Sequence, residues 1–557
     1  MRKHNFLLFD KHIYETYIMK KEIKFSLIYR DMFQSSGKFQ PRVDQLVRIA
    51  PVIIDMGCFA RVETNGGAFE QVNLMYGENP NKAVRAFTKP FNEVGIKTHM
   101  LDRGLNALRM FPCPADLRKL MYKVKHAQGV DITRIFCGLN DPRNIIPSIK
   151  YAIEGGMTPQ ATLCITYSPV HTVEYYTKLA DQLIEAGAAE ICLKDMAGIG
   201  RPWSLGQLVK NIKERHPEII IQYHGHSGPG LSMASMLEVA ENGADVLDVA
   251  IEPLSWGKVH PDVISVRAML KDAGFQVPDI NMKAYMQARA LTQEFIDDFL
   301  GYFMDPTNKY MSSLLLTCGL PGGMMGSMMA DLKGVHSGIN MMLRSQGKPR
   351  FSLMTDKSIW GMILGKSGKL PGEVAPEIIE LAKEQGQEFF TGDPQSLYPD
   401  DLDKYRAEMI ENGWDLGPDD EELFEFSMHE TQYRAYKSGV AKERFEADLQ
   451  KAKDAVMAKN GFSEEDIKKV KRAKAEPIVA DEKGKIVWEI DVVNPSIEPA
   501  VGKKYAVNDP FCYIMTPWGG SMKQVSNFNG RIVEVCVKQG ETVNKGDVLA
   551  YIQKEDA

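Results

Sequence analysis

The chain has 557 residues, enough for three or four folding units at roughly 150 residues per domain. Its 67 Lys and Arg against 73 Asp and Glu leave a net charge of −6, which argues against a nucleic-acid-binding protein because phosphate binding needs a clustered basic surface. No stretch reaches the ~18 consecutive apolar residues of a membrane span. The 8 Cys are scattered without a CxxC pair, as is typical of a reduced, cytoplasmic protein.

Residues 1–18 carry a basic start and a short apolar patch, which Asp10 and Glu15 interrupt. Because the patch is short and no small-residue cleavage site follows it, we do not expect a signal peptide. We interpret residues 1–18 as an N-terminal extension and begin the first domain at residue 19.

Short β-branched or apolar runs recur along the first half of the chain. The predicted strands are Ile23–Tyr29, Val52–Asp55, Lys97–Leu101, Ile132–Phe136, Thr162–Thr166, Glu190–Leu193, Ile219–Tyr223 and Asp245–Ala250. Amphipathic stretches such as Thr172–Ala186 and Leu231–Asn242 separate them. This alternation predicts the α/β class and a (β/α)8 TIM barrel. A doubly wound open sheet is the alternative, but no Gly-x-Gly-x-x-Gly turn follows the first strand.

A TIM barrel carries its chemistry just past the C-terminal ends of its strands. Polar residues occur at these points: Arg30, Asp31 and Gln34 after the first strand, Arg103 after the third, Asn140 and Asp141 after the fourth, Lys194 and Asp195 at the sixth, and His224 and His226 at the seventh. We therefore predict a functional site at this rim.

His224 and His226 are two residues apart on an extended segment, so both imidazoles point the same way. Together with Asp31 they predict a site for Zn, Mn or Co. A polar loop without a metal is the alternative. Lys194 would be repelled by a dication, so it is either an ordinary ion-pair residue or is modified into an anionic ligand such as a carbamylated lysine.

Several motifs in the sequence resemble those of a known family. They are RDMFQSS (30–36), CGLNDPRN (137–144), ITYSPVHTVEYY (165–176), LKDMAG (193–198), HGHS (224–227) and LPGGMMGSM (320–328). In this order they resemble the biotin-dependent carboxyltransferases, which include pyruvate carboxylase, the oxaloacetate decarboxylase alpha subunit and the central subunit of methylmalonyl-CoA carboxytransferase. The likeness runs from about residue 20 to about residue 450.

The resemblance implies an activity and a set of site residues. The reaction would be carboxyl exchange between biotin and pyruvate or oxaloacetate. Asp31, Lys194 (carbamylated), His224 and His226 would hold the divalent metal. Gln34 and Arg103 would bind the keto acid, with Arg30 beside them, and Gln34, Arg103 and Lys194 are the candidate catalytic residues.

One family segment has no counterpart in this sequence. The family carries a TPSSQ-like segment after the LPGG motif, and its Thr is the proton carrier. Compared with the family, this sequence lacks roughly 50 residues at the junction of Arg350 and Phe351. Thr355 is present, but the residues around it do not match the family segment. Two alternatives to a carboxyltransferase therefore stay open: a metal-dependent Claisen-type acyl-CoA lyase or synthase, and a catalytically impaired assembly subunit.

The C-terminal part resembles a degenerate biotinyl/lipoyl-like β domain. We place a TIM-barrel domain at 19–300, a helical region at 301–450, a charged linker at 451–480 and the β domain at 481–557. The position of the modified lysine falls within Met515–Gly520, which contains no Lys, and Lys523 is the nearest candidate for biotin attachment. We therefore expect biotin on a separate carrier protein, with a biotin carboxylase or membrane decarboxylase subunit as a further partner, and a homo-oligomer.

Overall fold

The computed structural model describes residues 20–304, 306–318, 361, 363–369, 371–459, 475–488, 504–517, 519–527 and 529–554. The chain divides into two compact units, Met1–Leu449 and Gln450–Ala557. Within the described residues, no helix is both long and apolar enough to cross a membrane. The finer division into linker and domains stays a prediction.

The first unit contains a closed barrel of eight parallel strands in sequential order, in which β1 also pairs with β8. The strands are β1 Lys24–Leu27, β2 Phe59–Gly66, β3 Lys97–Asp102, β4 Ile132–Ile135, β5 Thr158–Cys164, β6 Glu190–Asp195, β7 Ile220–Gly225 and β8 Val246–Val249. The predicted TIM barrel is confirmed.

Helices follow the strands around the barrel. They are α1 Tyr29–Ser36, α2 Val43–Asp55, α3 Phe69–Tyr76, α4 Pro80–Glu93, α5 Ala115–Ala127, α6 Pro142–Glu154, α7 Val173–Glu185, α8 Pro202–Arg215, α9 Ser232–Glu241, α10 Val263–Asp272 and α11 Met282–Asp298. Local side-chain caps set several of their starts. Thr172, for example, accepts a hydrogen bond from the backbone N–H of Tyr175 at 3.1 Å, and Asp262 accepts one from Ile264 at 2.9 Å.

The prediction of a strand at Val52–Asp55 was wrong. These residues are the last turn of α2, whose residues Leu46, Ile49 and Ile53 are buried at helical spacing. The second strand is β2, Phe59–Gly66. The sequence of β2, FARVETNG, is largely polar, so it lacks the run of apolar residues from which a buried strand is predicted.

Polar side chains fill part of the barrel interior. Arg61 of β2 donates to both carboxylate oxygens of Glu190 in β6, at 2.6 and 2.8 Å, and to Gln222 of β7 at 2.8 Å. All three residues are buried. Buried charges are tolerated when they are paired and hydrogen-bonded, so this network links strands on different sides of the barrel.

The remainder of the first unit is helical where it is described. Its helices are α12 Leu315–Cys318, α13 Pro376–Glu384, α14 Leu402–Glu411, α15 Glu421–Met428, α16 Glu430–Lys437 and the first half of α17 Val440–Lys459, which ends in the second unit, and short 3-10 turns lie at Leu300–Phe303, Pro306–Lys309, Pro394–Leu397 and Pro418–Asp420. Within the helical region predicted at 301–450, residues 421–442 are thus divided among three helices. The LPGGMMGSM motif, the junction at Arg350 and Phe351, and Thr355 lie outside the described residues.

The second unit forms two four-stranded sheets whose paired strands are antiparallel. Its strands are β9 Glu476–Val479, β10 Gly484–Val487, β11 Lys504–Tyr505, β12 Pro510–Met515, β13 Ser521–Val525, β14 Gly530–Val535, β15 Thr542–Val543 and β16 Val548–Lys554. Ile486, Phe511, Ile514, Leu549 and Ile552 are fully buried in its own core. The predicted small C-terminal β fold is confirmed.

Candidate active site

Four side chains converge at the C-terminal end of the barrel. Asp31 lies in the first turn of α1, His224 near the end of β7, His226 just beyond β7, and His260 in the segment between β8 and α10. One ligand atom of each lies within 4.8 Å of the others, and all four residues are buried. The structure thus brings together Asp31, His224 and His226, as the sequence predicts, and adds His260.

Hydrogen bonds orient two of the imidazoles. The Nδ1 atom of His226 lies 2.6 Å from the backbone oxygen of Lys258, and a carbonyl can only accept. The Nδ1 atom of His224 lies 2.7 Å from Oδ2 of Asp248. Both Nδ1 atoms therefore carry the proton, which leaves each Nε2 atom as a lone pair directed at the cluster.

Three acceptor atoms of the cluster lie close enough together to bind one cation. The Nε2 atoms of His224 and His226 lie 3.2 Å apart, at 3.8 and 3.3 Å from Oδ2 of Asp31. This carboxylate oxygen has no hydrogen-bond partner. Three acceptors at such distances repel one another unless a positive charge lies between them, so the donor set fits a divalent metal.

The protonation states also suit metal binding. Burial lowers the pKa of His224, His226 and His260, so the imidazoles are held in the neutral form that ligates metals. Burial alone would raise the pKa of Asp31, but its positively charged surroundings, with Arg30 at 3.5 Å, bring it below its ordinary value. The carboxylate therefore stays ionised.

Lys194, on β6, is the remaining residue of the predicted metal set. Its Nζ atom lies 2.9 Å from Nε2 of His224, at the edge of the cluster. Burial lowers the pKa of its amine. A neutral amine is the form that reacts with CO2, so this environment is compatible with the carbamate that the family resemblance implies, and carbamylation of Lys194 stays a prediction.

Arg30 joins the cluster to the neighbouring substrate residues. Its guanidinium donates to Glu63 at 2.7 Å, lies 3.5 Å from the Asp31 carboxylate, and also donates to Gln34. Arg30 and Glu63 are fully buried, whereas Gln34 is half-buried. The structure therefore places Arg30 and Gln34 beside the cluster, on the first helix after β1.

Arg103 follows β3 on the same rim. Its Nη1 atom donates to the backbone oxygen of Leu108 at 2.7 Å. The guanidinium lies so close to Gly67 that a Cβ there would approach its Cζ to 2.5 Å, so a larger residue at position 67 would displace the guanidinium from this position. Burial and the positive charge of Arg30 lower the pKa of Arg103 to about 10. The positive charges of Arg30 and Arg103 thus lie near one another at this rim, and together they suit the binding of an anionic substrate.

Three other rim residues hold loops. Asn140 accepts a hydrogen bond from the backbone N–H of Cys164 at 2.8 Å and donates to its oxygen at 2.9 Å. Asp141 caps α6 through the backbone N–H of Arg143 at 3.0 Å, and Asp195 accepts from Ile199 at 2.8 Å. These side chains are engaged in local structure.

Three residues at the site were not predicted from the sequence. Glu63 lies on β2, which was misplaced. Asp248 is a fully buried lone carboxylate within the apolar strand β8, and a charged residue in such a strand is a signal that a search for site residues could have used. His260 follows β8 in the run GKVHPD, and no spacing relates it to His224 or His226.

Lys523, the predicted candidate for biotin attachment, belongs to the second unit. The turn between β12 and β13 is closed by the backbone N–H of Thr516, which donates to the oxygen of Gly520 at 2.8 Å. Lys523 lies beyond this turn, pairs with Tyr513 in the ladder and is exposed. The turn itself contains no lysine.

Known proteins share this architecture. The HMGL-like family matches residues 144–289. A pyruvate carboxylase subunit of Methanocaldococcus jannaschii is 26% identical over 556 residues, covering 94% of this chain and 92% of that protein. The methylmalonyl-CoA carboxyltransferase 5S subunit of Propionibacterium freudenreichii is 28% identical over 414 residues, covering 69% of this chain and 81% of that protein.

A solved structure shows the same fold. The carboxyl transferase domain of Rhizobium etli pyruvate carboxylase, determined with pyruvate and biocytin, aligns with a TM-score of 0.68 at 21% identity, over 76% of this chain and 78% of that chain. The chain therefore contains an HMGL-like domain within an eight-stranded barrel. It is a homologue of the archaeal pyruvate carboxylase subunit and of the methylmalonyl-CoA carboxyltransferase subunit, so the resemblance to the carboxyltransferase family is confirmed.

Proposed function

We propose that this chain is a biotin-dependent carboxyltransferase subunit that moves a carboxyl group between biotin and pyruvate or oxaloacetate. One observation carries the proposal: the metal-type cluster of Asp31, His224 and His226 lies beside the cationic side chain of Arg30 at the C-terminal end of the barrel. The homologous carboxyltransferases support it.

Asp31, His224 and His226, with Lys194 as a carbamate, would hold the divalent metal. Their nitrogen and oxygen ligands suit Zn, Mn or Co. When bound, such a metal polarises the keto oxygen of the substrate and stabilises an enolate. Asp248 keeps His224 in the required tautomer, and the backbone oxygen of Lys258 does the same for His226.

The substrate side of the site is cationic. Arg103 would pair with the carboxylate of the keto acid, and Arg30 adds a second positive charge on the same rim. Gln34 is half-buried and would place its amide against the substrate. In the direction of decarboxylation, the C–C bond of oxaloacetate breaks, its electron pair stays on C3 of pyruvate, and the carboxyl group passes to the ureido nitrogen of biotin, whose proton goes to C3.

Biotin would arrive on a separate carrier protein. The turn at residues 516–520 contains no lysine, and Lys523 lies in strand β13 beyond it. A biotin carboxylase or a membrane decarboxylase subunit would supply or use the carboxyl group. We propose that the chain forms a homo-oligomer.

Isotope exchange tests this function. Purified protein, oxaloacetate, labelled pyruvate and free biotin are combined, and label entering oxaloacetate is measured. We expect exchange with the unaltered chain and its loss with His224→Ala, because the metal ligand is gone. Lys523→Arg is the matched control and should exchange normally, since free biotin replaces the carrier. Normal exchange by His224→Ala would refute the role of the cluster.

Two alternatives have distinct outcomes in the same assay. A Claisen-type acyl-CoA lyase or synthase would use the same metal ligands, and the HMGL-like match over 144–289 keeps it as the second candidate. Metal-loaded protein without exchange, but with cleavage of an acyl-CoA, would support it. Metal-loaded protein that binds the keto acid and catalyses neither reaction would support an impaired assembly subunit.

A further inference from the structure

Asp102 is a fully buried carboxylate at the C-terminal end of β3, and it directly precedes Arg103 in the chain. The hydrogen bonds that it accepts come from uncharged donors, one backbone N–H and two hydroxyls. Burial raises the pKa of Asp102 to about 6 although these hydrogen bonds oppose the rise, so the group is ionised at neutral pH. A buried charge costs free energy, which raises the question of what this carboxylate does.

The two oxygens of the carboxylate bind different parts of the molecule. Oδ2 accepts from the hydroxyl of Thr133 in β4 at 2.6 Å and from that of Tyr122 in α5 at 3.0 Å. Both of these side chains are fully buried. Oδ1 accepts from the backbone N–H of Gly104 at 2.8 Å. Oδ2 therefore fixes the carboxylate to the barrel, and Oδ1 fixes the start of the loop after β3.

This loop forms a tight turn that begins at Arg103. The N–H of Arg103 donates to the oxygen of Ala107 at 2.8 Å, and the N–H of Ala107 donates to the oxygen of Gly104 at 2.9 Å. Gly104 has a φ of +54°, in the left-handed region, and a Cβ there would lie 3.0 Å from the backbone oxygen of Asn144. Because glycine can adopt many conformations, the hydrogen bond to Asp102 helps to select this one.

The side chain of Arg103 depends on the same loop. Its Nη1 atom donates to the backbone oxygens of Leu108 at 2.7 Å and of Arg109 at 3.4 Å. The guanidinium is thus bound to the backbone of its own loop, and a shift of the turn would move it.

We propose that Asp102 is a positioning residue for keto-acid binding: through Oδ1 and the N–H of Gly104 it holds the loop in the shape that places the guanidinium of Arg103 at the substrate. The inference rests on the role that the proposed function gives to Arg103. Asp102 acts through Arg103, because both of its own oxygens are already engaged. A displacement of about 1 Å in a binding group can cost about 100-fold, so a hydrogen bond remote from the substrate can control its binding.

Pyruvate binding and isotope exchange together test the proposal. The metal-loaded full-length chain and its Asp102→Ala and Asp102→Asn variants are titrated with pyruvate by calorimetry, and KM and kcat are taken from the exchange assay. The Ala variant has no acceptor for Gly104. The Asn variant keeps an oxygen for Gly104, and its NH2 group can donate to the hydroxyl oxygens of Tyr122 and Thr133.

Asp131→Ala is the matched control. Asp131 lies at the other end of the barrel, where its Oδ2 atom accepts from the backbone N–H of Thr98 at 2.9 Å and from the hydroxyl of Thr98 at 3.2 Å, near the start of the same strand β3. The substitution removes a carboxylate from β3 without touching the loop that carries Arg103. It should lower the stability to urea and leave the Kd and the KM for pyruvate unchanged.

We expect Asp102→Ala to raise the Kd and the KM for pyruvate about tenfold or more. The kcat should change less, because the groups at the metal are unaltered. Asp102→Asn should recover most of the affinity, since it restores the acceptor for Gly104. Asp102→Val, which fills the space without an acceptor, repeats the measurement if the Ala variant does not fold. All variants should hold as much metal as the unaltered chain, because Asp102 is not a member of the metal-type cluster.

Three outcomes would overturn the proposal alone. They are an unchanged Kd in Asp102→Ala and Asp102→Val, an equal rise of the Kd in Asp131→Ala, which would indicate a general loosening of β3, and a failure of Asp102→Asn to recover affinity. An unaltered chain that does not bind pyruvate would overturn the proposed substrate site as well. Pyruvate binding without isotope exchange would contradict the proposed reaction only, and the Kd values would still decide the role of Asp102.

Discussion

The Nδ1 atom of His224 lies 2.7 Å from Oδ2 of Asp248, and both side chains are fully buried. The same carboxylate oxygen accepts a hydrogen bond from Arg134 of β4 at 2.5 Å. The interaction of Arg134 and the hydrogen bond of His224 lower the pKa of Asp248 well below its ordinary value, against the effect of burial, so it stays ionised. An ionised carboxylate thus holds the ring of His224 from inside the barrel.

We predict that Asp248→Asn weakens metal binding about 10–100-fold, because an amide, which can also donate, replaces the ionised acceptor that sets the tautomer and orientation of His224. The free energy of unfolding should also fall by about 3–5 kcal/mol, since Arg134 keeps a buried, unpaired charge. Chelator competition measures the first effect and urea unfolding the second.

Glu190→Gln provides the control for Asp248→Asn. It breaks the buried pair with Arg61, whose atoms lie 2.6 Å apart, in the same barrel interior. This variant should lose stability to a similar degree and keep its metal affinity, because Glu190 does not touch the cluster ligands. Equal weakening of metal binding in both variants would mean that general loosening of the barrel, and not the orientation of His224, is responsible.

Periodicity and strand-end chemistry predicted much of the site, for identifiable reasons. His224 and Lys194 end apolar strands, so their polarity marks the rim directly. The prediction of strand β2 failed because its polar residues Arg61, Glu63 and Asn65 are buried through hydrogen bonds, which removes the apolar signal that identifies a buried strand.

His260 could not be predicted for a different reason. It lies in an irregular segment whose path depends on backbone hydrogen bonds to distant residues, such as that between Ser227 and Val259. Neither helical nor strand periodicity describes such a segment. The proline and glycine in its sequence mark a loop, but a loop residue has no spacing rule that relates it to a histidine on another strand.

We predict that Arg103→Met raises the KM for the keto acid about 10–100-fold in the exchange assay, because a charged hydrogen bond to the substrate carboxylate is worth about 1.5–3 kcal/mol. Arg103→Lys should recover only part of this loss, since an ammonium cannot donate from a planar fork. The kcat should change less than the KM.

Arg143→Gln is the control for the Arg103 variants. Arg143 also lies on the rim, at the start of α6, but its guanidinium is paired with Asp141 at 2.6 Å. It should leave the KM unchanged, because its guanidinium is already engaged with Asp141. An unchanged KM in Arg103→Met would exclude Arg103 from substrate binding.

We predict a pH dependence of stability from His429. Burial, with Lys125, Arg103 and Arg109 nearby, lowers the pKa of His429 from 6.5 to about 3. Below pH 6.5 the unfolded chain therefore takes up a proton that the folded chain does not. The contribution of His429 to the free energy of unfolding is therefore fully present above pH 6.5. As the pH falls below 6.5, this contribution decreases by about 1.4 kcal/mol for each pH unit.

His429→Gln should remove this contribution. Urea unfolding at several pH values between 7.5 and 4.5 measures the free energy of unfolding of both chains, and the difference between them should shift steadily in favour of the variant as the pH falls. A difference that stays constant over this range would show that His429 takes up its proton over the same pH range in the folded and the unfolded chain, and that burial and the neighbouring positive charges do not lower its pKa.

Finally, we predict that the second unit stays free of biotin. Biotin ligases modify a lysine at the tip of a hairpin, as the resemblance implies, but here the turn at residues 516–520 contains none, and Lys523 pairs with Tyr513 within the ladder. Co-expression of the full chain with a biotin ligase, followed by intact-mass analysis and streptavidin blotting, should show no adduct. A known biotin carrier protein in the same cells provides the positive control. An adduct that disappears in Lys523→Arg would instead identify Lys523 as the attachment site, and the chain would then supply its own biotin to the barrel.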